Sequence, residues 1–478
     1  MAKKKQTLIV TNQQKLLGLL MLVSALLYLF YHGTMSVLNR QIVYEGIWPT
    51  LWDVTFWLAV GTGALYVGYL FFVHPMKRDM WRDFRKKVLT TNYLLLLILL
   101  VLMIFSVASI KSAFPSGDWW KANRTTVMDT AGQILVLFPF GCWLVRHRDA
   151  KEFRIPLHVF SIAFLILEVW ILVRTFTNSP IYLANGGGIG INGEISLIIN
   201  CNRNTTGLWG YCFLFLCIYL AVTTVKWMKL IYILGIPVNL LIIALSMSRA
   251  SLYASCLMLG LFAAIWFWYQ KHIFTEKKKT KIIGSVFVGI AVTVVFYFLD
   301  GVLREIYLEI SNIEALLGVD ATEREFFDTR LSGRTDVWMA SLKALTYDAR
   351  SFFFGVSPIG IYSRIEELMG TSLYTHNQIL EFGVGSGVPA MIIFIIFCVR
   401  LFLHSVKVCF TSGNRSMRNT LASVGCFLML IANMFEATLF GFNYLSGIIF
   451  IVACGYLTEL SRNPALMFKE QEQRERIC

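Results

Sequence analysis

Four residues in this sequence have the types and placement for proton and anion chemistry: His376, Arg249, Arg334 and Arg330. A free imidazole titrates at about pH 6.5, where it can take a proton under neutral conditions. The plain alternative for His376 is a hydrogen-bonding residue where a loop meets a helix. Arg249 lies in Ser246-Met247-Ser248-Arg249-Ala250-Ser251, a very short turn between two long apolar runs. Arginine at membrane depth costs about 2.5–3.5 kcal/mol or more, so it usually faces a polar cavity or an anion, or snorkels to the headgroups. Arg330 and Arg334 are four apart, at what could be the start of a helix. Both could point at one anion, since guanidinium groups grip phosphate through paired N–H groups; solvated surface is the alternative.

Two carboxylates stand out beside them. Glu168 sits mid-run in Phe164-Leu165-Ile166-Leu167-Glu168-Val169-Trp170. An ionisable residue at that depth is a functional candidate. It could pair with Arg174, line a groove, or hydrogen-bond another helix. Glu436, near the outer end of an apolar run, could contact Arg249 or a substrate.

The elements that position these residues are membrane helices. The chain has 478 residues, is 56% hydrophobic and carries a net charge of +14. Apolar runs of about 18–25 residues recur along it, each long enough to cross a bilayer. The runs predict about twelve spans, near 16–37, 51–73, 88–110, 128–146, 155–173, 207–225, 230–247, 250–269, 282–300, 385–403, 419–438 and 444–460. Alternate connections hold the basic clusters, among them Lys3-Lys4-Lys5, Arg82 to Lys87, Lys277-Lys278-Lys279 and Arg415 with Arg418. The positive-inside rule makes that side cytoplasmic, with both termini inside. The expectation is an all-α polytopic membrane protein, one integral domain over 1–478. A large extracytoplasmic loop at 301–384, between spans nine and ten, interrupts it.

That loop reads as partly helical. Arg334–Leu345 alternates apolar and polar residues as an amphipathic helix does, after a Ser332-Gly333 start, and Ile361–Met369 suits another short helix. Trp48 and Trp119-Trp120 suit the headgroup belt. The run Gly383-Val384-Gly385-Ser386-Gly387 is unusually flexible for the start of a membrane helix.

Several function classes drop out. The positive charge serves as a topology signal in short inner loops, which favours membrane lipid and gives no reason to expect nucleic acid. The ten Cys are scattered, mostly in apolar runs, with no CxxC and no zinc spacing. There is no Asp-x-Asp pair for a nucleotide-diphosphate metal and no Gly-rich Lys-Ser/Thr phosphate loop. No metal and no cofactor is expected.

In order along the chain stand Asn202-Arg203-Asn204-Thr205-Thr206-Gly207, Ser248-Arg249, Ser332-Gly333-Arg334 with Trp338, Phe353-Phe354-Gly355-Val356, and His376-Asn377-Gln378-Ile379-Leu380 running into Gly387. This ordered set resembles the O-antigen ligase and polymerase superfamily of bacterial membrane glycosyltransferases. Gly385 stands where that family often has Glu, and Ala390 where it has a second Gly. The resemblance implies a GT-C-like bundle in the bacterial cytoplasmic membrane. It implies a polyprenyl-pyrophosphate-linked glycan as donor and a glycan or lipid-linked acceptor outside the cytoplasm. His376 would be the general base on the acceptor hydroxyl. Arg249 and Arg334, with Arg330, would hold the pyrophosphate; Asn377, Glu168 and Glu436 would be candidates to line the groove. The rival class is a flippase of the same lipid-linked glycan. A transporter should place its polar residues near the midplane on broken helices, often with repeat symmetry; here they cluster at the outer face and no repeat is seen.

Overall fold

The computed structural model describes residues 90–110, 119–147, 151–176, 203–224, 227–246, 248–270, 334–371, 373–410, 417–434 and 445–463, with 54, 58, 437 and 440. Its helices are α1 (Thr91–Ser109), α2 (Trp119–Gly132), a π-helical stretch (Gln133–Leu137), α3 (Phe138–His147), α4 (Lys151–Phe176), α5 (Arg203–Thr223), α6 (Trp227–Leu245), α7 (Arg249–Gln270), α8 (Arg334–Leu345), α9 (Ala349–Phe354), α10 (Gly360–Met369), α11 (Gln378–Phe410), α12 (Met417–Ala432) and α13 (Leu445–Arg462). The described residues are all helix and connection, with no strand. Four stretches are long and apolar enough to cross a membrane: Thr91–Ser109, Thr206–Thr223, Trp227–Ala244 and Gln378–Cys409. The expected spans at 16–37 and 282–300, and all of 51–73 except residues 54 and 58, lie outside the described residues.

The described helices fall into two compact units. The first gathers α1–α3, α9, α10 and α13 with most of α8 and α11. Here α3 and α13 meet backbone to backbone. A Cβ on Gly141 would come within 2.1 Å of the Val452 carbonyl oxygen, and one on Gly455 within 2.1 Å of the Phe138 oxygen. Such small residues let helices approach closely where lipid supplies no hydrophobic push. A polar chain centred on buried Asn92 adds to this unit. Arg400 Nε donates to Asn92 Oδ1 at 2.8 Å, and Asn92 Nδ2 donates to Thr458 Oγ1 at 2.9 Å.

The second unit holds α5, α6, α7, α12 and the later part of α4. α5 packs on α6, α7 and α12. Tyr211, fully buried, donates its hydroxyl to the Gly425 carbonyl at 3.2 Å.

α8 is amphipathic over the residues the sequence indicated. Val337, Ala340, Ser341, Ala344 and Leu345 are buried, a three-and-four spacing that forms one face. Ala340, Ala344 and Leu345 from that face form a core with Ile361 and Ile365 of α10 and Val384 of α11. Two helix starts differ most from expectation. α2 begins at Trp119, inside the expected outer connection, because polar residues Thr126, Asp129, Thr130 and Gln133 dilute the hydropathy of a continuous helical run. α11 begins at Gln378, before the expected span, because Asn377 caps it.

α11 is broken at Gly387, where φ is 87° and ψ 167°. In an unbroken helix the Val384 and Gly385 carbonyls would accept from residues 388 and 389. The break turns the N–H of Val388 away, and Pro389 has none to give. Both carbonyls find other donors: Val356 N–H reaches Val384 O at 2.8 Å, and the Ser106 hydroxyl reaches Gly385 O at 2.5 Å. Ser106 Oγ in turn accepts the Ser357 N–H at 3.0 Å. The approach leaves no room for side chains. A Cβ on Gly387 would lie 2.4 Å from the Phe353 oxygen, and one on Gly355 2.5 Å from the Gly385 carbonyl carbon. The Gly383–Gly387 run, expected to be flexible, is a close-packed crossing.

Gly355 and Gly387 both occupy backbone space that is nearly reserved for glycine, at a cost of about 1–3 kcal/mol for any other residue. Gly355→Ala and Gly387→Ala should therefore lower the thermal midpoint of the purified protein strongly. Gly370→Ala, at φ 77° but facing open space, should cost only about 1 kcal/mol. Equal shifts in a detergent melt would contradict this account. Asp348 caps α9 by accepting the Ser351 N–H at 2.6 Å, and that bond holds its carboxyl below the usual Asp range. Its contribution is present above about pH 4 and is lost as the pH falls through the lowered folded-state value. Asp348→Asn should flatten that acid limb in a melt-versus-pH series; an unchanged limb would assign it elsewhere.

Candidate active site

His376 immediately precedes the cap of α11, and the residues on both sides of it are locked. Thr375 is fully buried; its hydroxyl donates to Glu381 Oε2 at 2.6 Å, and its N–H reaches the same oxygen at 3.3 Å. Asn377 Oδ1 accepts the N–H groups of Ile379 at 2.9 Å and Leu380 at 3.2 Å. That is an Asx N-cap, which satisfies donors a helix start leaves unpaired. The Asn377 N–H reaches back to Thr375 Oγ1 at 3.3 Å, and the Asn377 carbonyl accepts from Glu381 N–H at 2.8 Å. Between these fixed points His376 takes φ 52°, one of two non-glycine residues with positive φ among those described. A left-handed residue of this kind persists only where its surroundings hold it there, and such positions cluster at functional sites. The imidazole is half-buried, its ring centroid 4.0 Å from that of Tyr374. Tyr362 lies 6.4 Å beyond Tyr374.

Arg249 is the first residue of α7, and the turn before it is set by serines. Ser246 Oγ donates to the Ile243 carbonyl at 2.7 Å, Ser248 N–H donates to Ser246 Oγ at 3.3 Å, and Ser248 and Ser251 share a hydroxyl bond at 3.0 Å. Gly207 of α5 lies against this turn, where a Cβ would come within 2.4 Å of the Ser248 Cβ. Arg334 is the first residue of α8 and half-buried. Both candidate arginines thus open helices. A cation there opposes the helix dipole, and an anion would offset that repulsion.

Glu168 is fully buried on α4 and accepts from Asn239 Nδ2 of α6 at 3.1 Å. Asn239 also donates to the Gly235 carbonyl at 2.9 Å. Of the roles open to Glu168 in the sequence, the structure displays the helix-to-helix hydrogen bond. Arg330 and Glu436 lie outside the described residues. His376 and Asn377 belong to the first unit, and Arg249, Glu168 and Arg334 to the second. Sequence reasoning missed Glu381. Its signal was an acid four residues after an Asn that follows a Thr-His pair.

The described chain is therefore an all-helical protein with helices of membrane-crossing length, carrying an imidazole held at one helix start and arginines that open two others. Residues 233–395 match the family described as O-antigen ligase. The match supports the O-antigen ligase superfamily for this chain, the same family its motifs resemble. It takes in Arg249, Arg330, Arg334, His376 and Asn377. No curated protein matches the chain.

Removing the cap in Asn377→Ala should cost about 1 kcal/mol, whereas Asn377→Asp should keep most of it. Denaturant midpoints of the two variants check this; the same loss in both would remove Asn377 from the capping role.

Proposed function

We propose that this chain is a membrane glycosyltransferase of the O-antigen ligase type, working at the outer face of the bacterial cytoplasmic membrane. It is a single polytopic domain over 1–478 with about twelve spans, both termini inside, and the 301–384 loop outside. Its donor is a glycan on polyprenyl pyrophosphate, and its acceptor is the hydroxyl of a second glycan or lipid-linked sugar. The reading rests on one observation above others: His376 is held in a left-handed conformation between two locked neighbours, within the stretch that matches the ligase family.

The chemistry follows from the residue types. His376 takes the proton from the acceptor hydroxyl. That oxygen forms a bond to the anomeric carbon of the donor sugar. The bond from that carbon to the pyrophosphate oxygen breaks, and the electron pair leaves with the pyrophosphate. Arg249, Arg334 and Arg330 stabilise the departing charge through their guanidinium groups. Pyrophosphate is already a good leaving group, so positioning and charge neutralisation supply most of what is needed. The Thr375–Glu381 and Asn377 bonds keep the imidazole in place. Asn377, Glu168 and Glu436 remain candidates for the groove, with Glu168 and Asn377 acting through the contacts described above.

In cells, His376→Ala should reduce surface glycan about 10²–10⁴-fold, the usual worth of a general base, with membrane insertion and expression unchanged. Arg249→Ala and Arg334→Ala should weaken donor use strongly. Lysine should rescue only in part, because it lacks the planar fork. Wild-type surface glycan in the His376→Ala strain would overturn the assignment. Carrier-linked units should accumulate on the outer leaflet of a strain lacking the protein; accumulation on the inner leaflet would favour a flippase.

A further inference from the structure

Three consecutive aromatic residues end α9, and the transfer chemistry above uses none of them. Phe352, Phe353 and Phe354 are 38%, 54% and 45% exposed. The first two rings meet edge to face, their centroids 5.1 Å apart. A lone exposed apolar side chain needs no explanation, but a cluster of large ones marks a surface that something covers.

The backbone around the cluster fixes its level against two helices of membrane-crossing length in the same unit. Just before it, Arg350 donates to the carbonyl of Ser109, the last residue of α1. Just after it, the Ser357 N–H donates to Ser106 Oγ at 3.0 Å. The Phe353 carbonyl packs against Gly387 of α11. α1 and α11 run side by side, since Ser106 bonds the Gly385 carbonyl near one end and Arg400 bonds Asn92 near the other. α1 has 19 residues. That is about 28 Å of helix, close to the ~30 Å of a bilayer's hydrocarbon core. Ser106 stands three residues from its end, so the turn after α9 sits about 4.5 Å inside that length.

Each of the two helices also exposes an apolar stripe. On α1 it is Leu94, Ile98, Val101 and Phe105; on α11 it is Ile392, Ile396, Val399 and Leu403. Their three- and four-residue spacing puts each set on one face. Both stripes run up to the α9 turn, at Phe105 beside Ser106 and at Ile392 five residues past Gly387. The neighbouring α10 differs, because its exposed residues are Ser363, Glu366 and Glu367. The loop region therefore has a polar side on α10 and an apolar side on α9.

We propose that residues 352–354 are a membrane-surface anchor, whose three rings lodge in a phospholipid bilayer at the boundary of headgroups and acyl chains. Apolar side chains of such surface helices enter that boundary by about 5–10 Å. Lipid is the occupant because the cluster continues two faces that are apolar along the length of a membrane crossing. Arg350, exposed beside the rings, keeps its charge at headgroup level. The anchor needs no glycosyl transfer and stands apart from the proposed function.

The test uses the full chain in vesicles of phosphatidylethanolamine and phosphatidylglycerol. The probe is a phospholipid carrying a diazirine high on one acyl chain, and cross-linked peptides are mapped by mass spectrometry after illumination. Residues 352–354 should label within threefold of the peptide holding Phe105, and at least tenfold above the peptide holding Glu366 and Glu367. Phe353→Ser/Phe354→Ser should cut labelling of the α9 peptide threefold or more, with the Phe105 peptide and the melt in detergent unchanged. If that variant does not fold, the wild-type pattern alone decides. Labelling that reaches Phe105 but leaves 352–354 at the level of Glu366 and Glu367 overturns the anchor; the rings are then covered by protein or stand clear of the lipid. Labelling of neither overturns it together with the membrane placement of α1. The transferase reading fails separately, through unaltered surface glycan in His376→Ala.

Discussion

The break of α11 at Gly387 is the constraint on which the first unit depends. Ending a helical ladder inside a buried segment leaves two carbonyls that must find donors, because a buried unpaired backbone group costs as much as a lost hydrogen bond. Val356 and Ser106 supply them, which fixes the turn after α9 against α11 and α1 together. Only glycine at 355 and 387 permits the backbones to come that close. The turn after α9 is thereby joined to α11, and α10 packs beside it on the buried residues of α8 and α11.

The same helix start carries His376. Its placement does not come from the apolar core but from side chains bonding to nearby backbone: Asn377 to Ile379 and Leu380, Thr375 to Glu381. A general base is useful only in a narrow geometry. A ring on a freely moving loop would seldom meet it, whereas this ring hangs from a backbone fixed on both sides and lies tilted against Tyr374 at 4.0 Å. The arginines follow a different logic. Arg249 and Arg334 each open a helix, where partial positive charge already gathers, which supports the proposal that they hold an anion.

The larger elements were legible in the sequence because membrane helices must be continuous and apolar. The helices at 91–109, 203–223, 227–245 and 249–270 fall close to their hydropathy runs. α8 was legible from its amphipathic spacing, to the residue at both ends. What escaped depends on contacts between residues distant in sequence. Nothing local told that Ser106 would take the Gly385 carbonyl, so a glycine run bound by close approach looked like a flexible one. The early start of α2 was hidden because Thr126, Asp129, Thr130 and Gln133 lower the hydropathy of a helix that is nonetheless buried. Asn377 was singled out as a groove residue; its bonds make it the cap of α11. Glu168 was visible as a misfit in an apolar run; its partner Asn239, far along the chain, was not.

The central claim is that one imidazole drives sugar transfer with loss of a pyrophosphate carrier. It is tested most directly by reconstituting purified chain in liposomes with carrier-linked glycan and counting free polyprenyl pyrophosphate against glycosidic bonds formed. The account predicts one carrier released per bond by wild type, and next to none of either by His376→Ala. Equal turnover by the two proteins would contradict it.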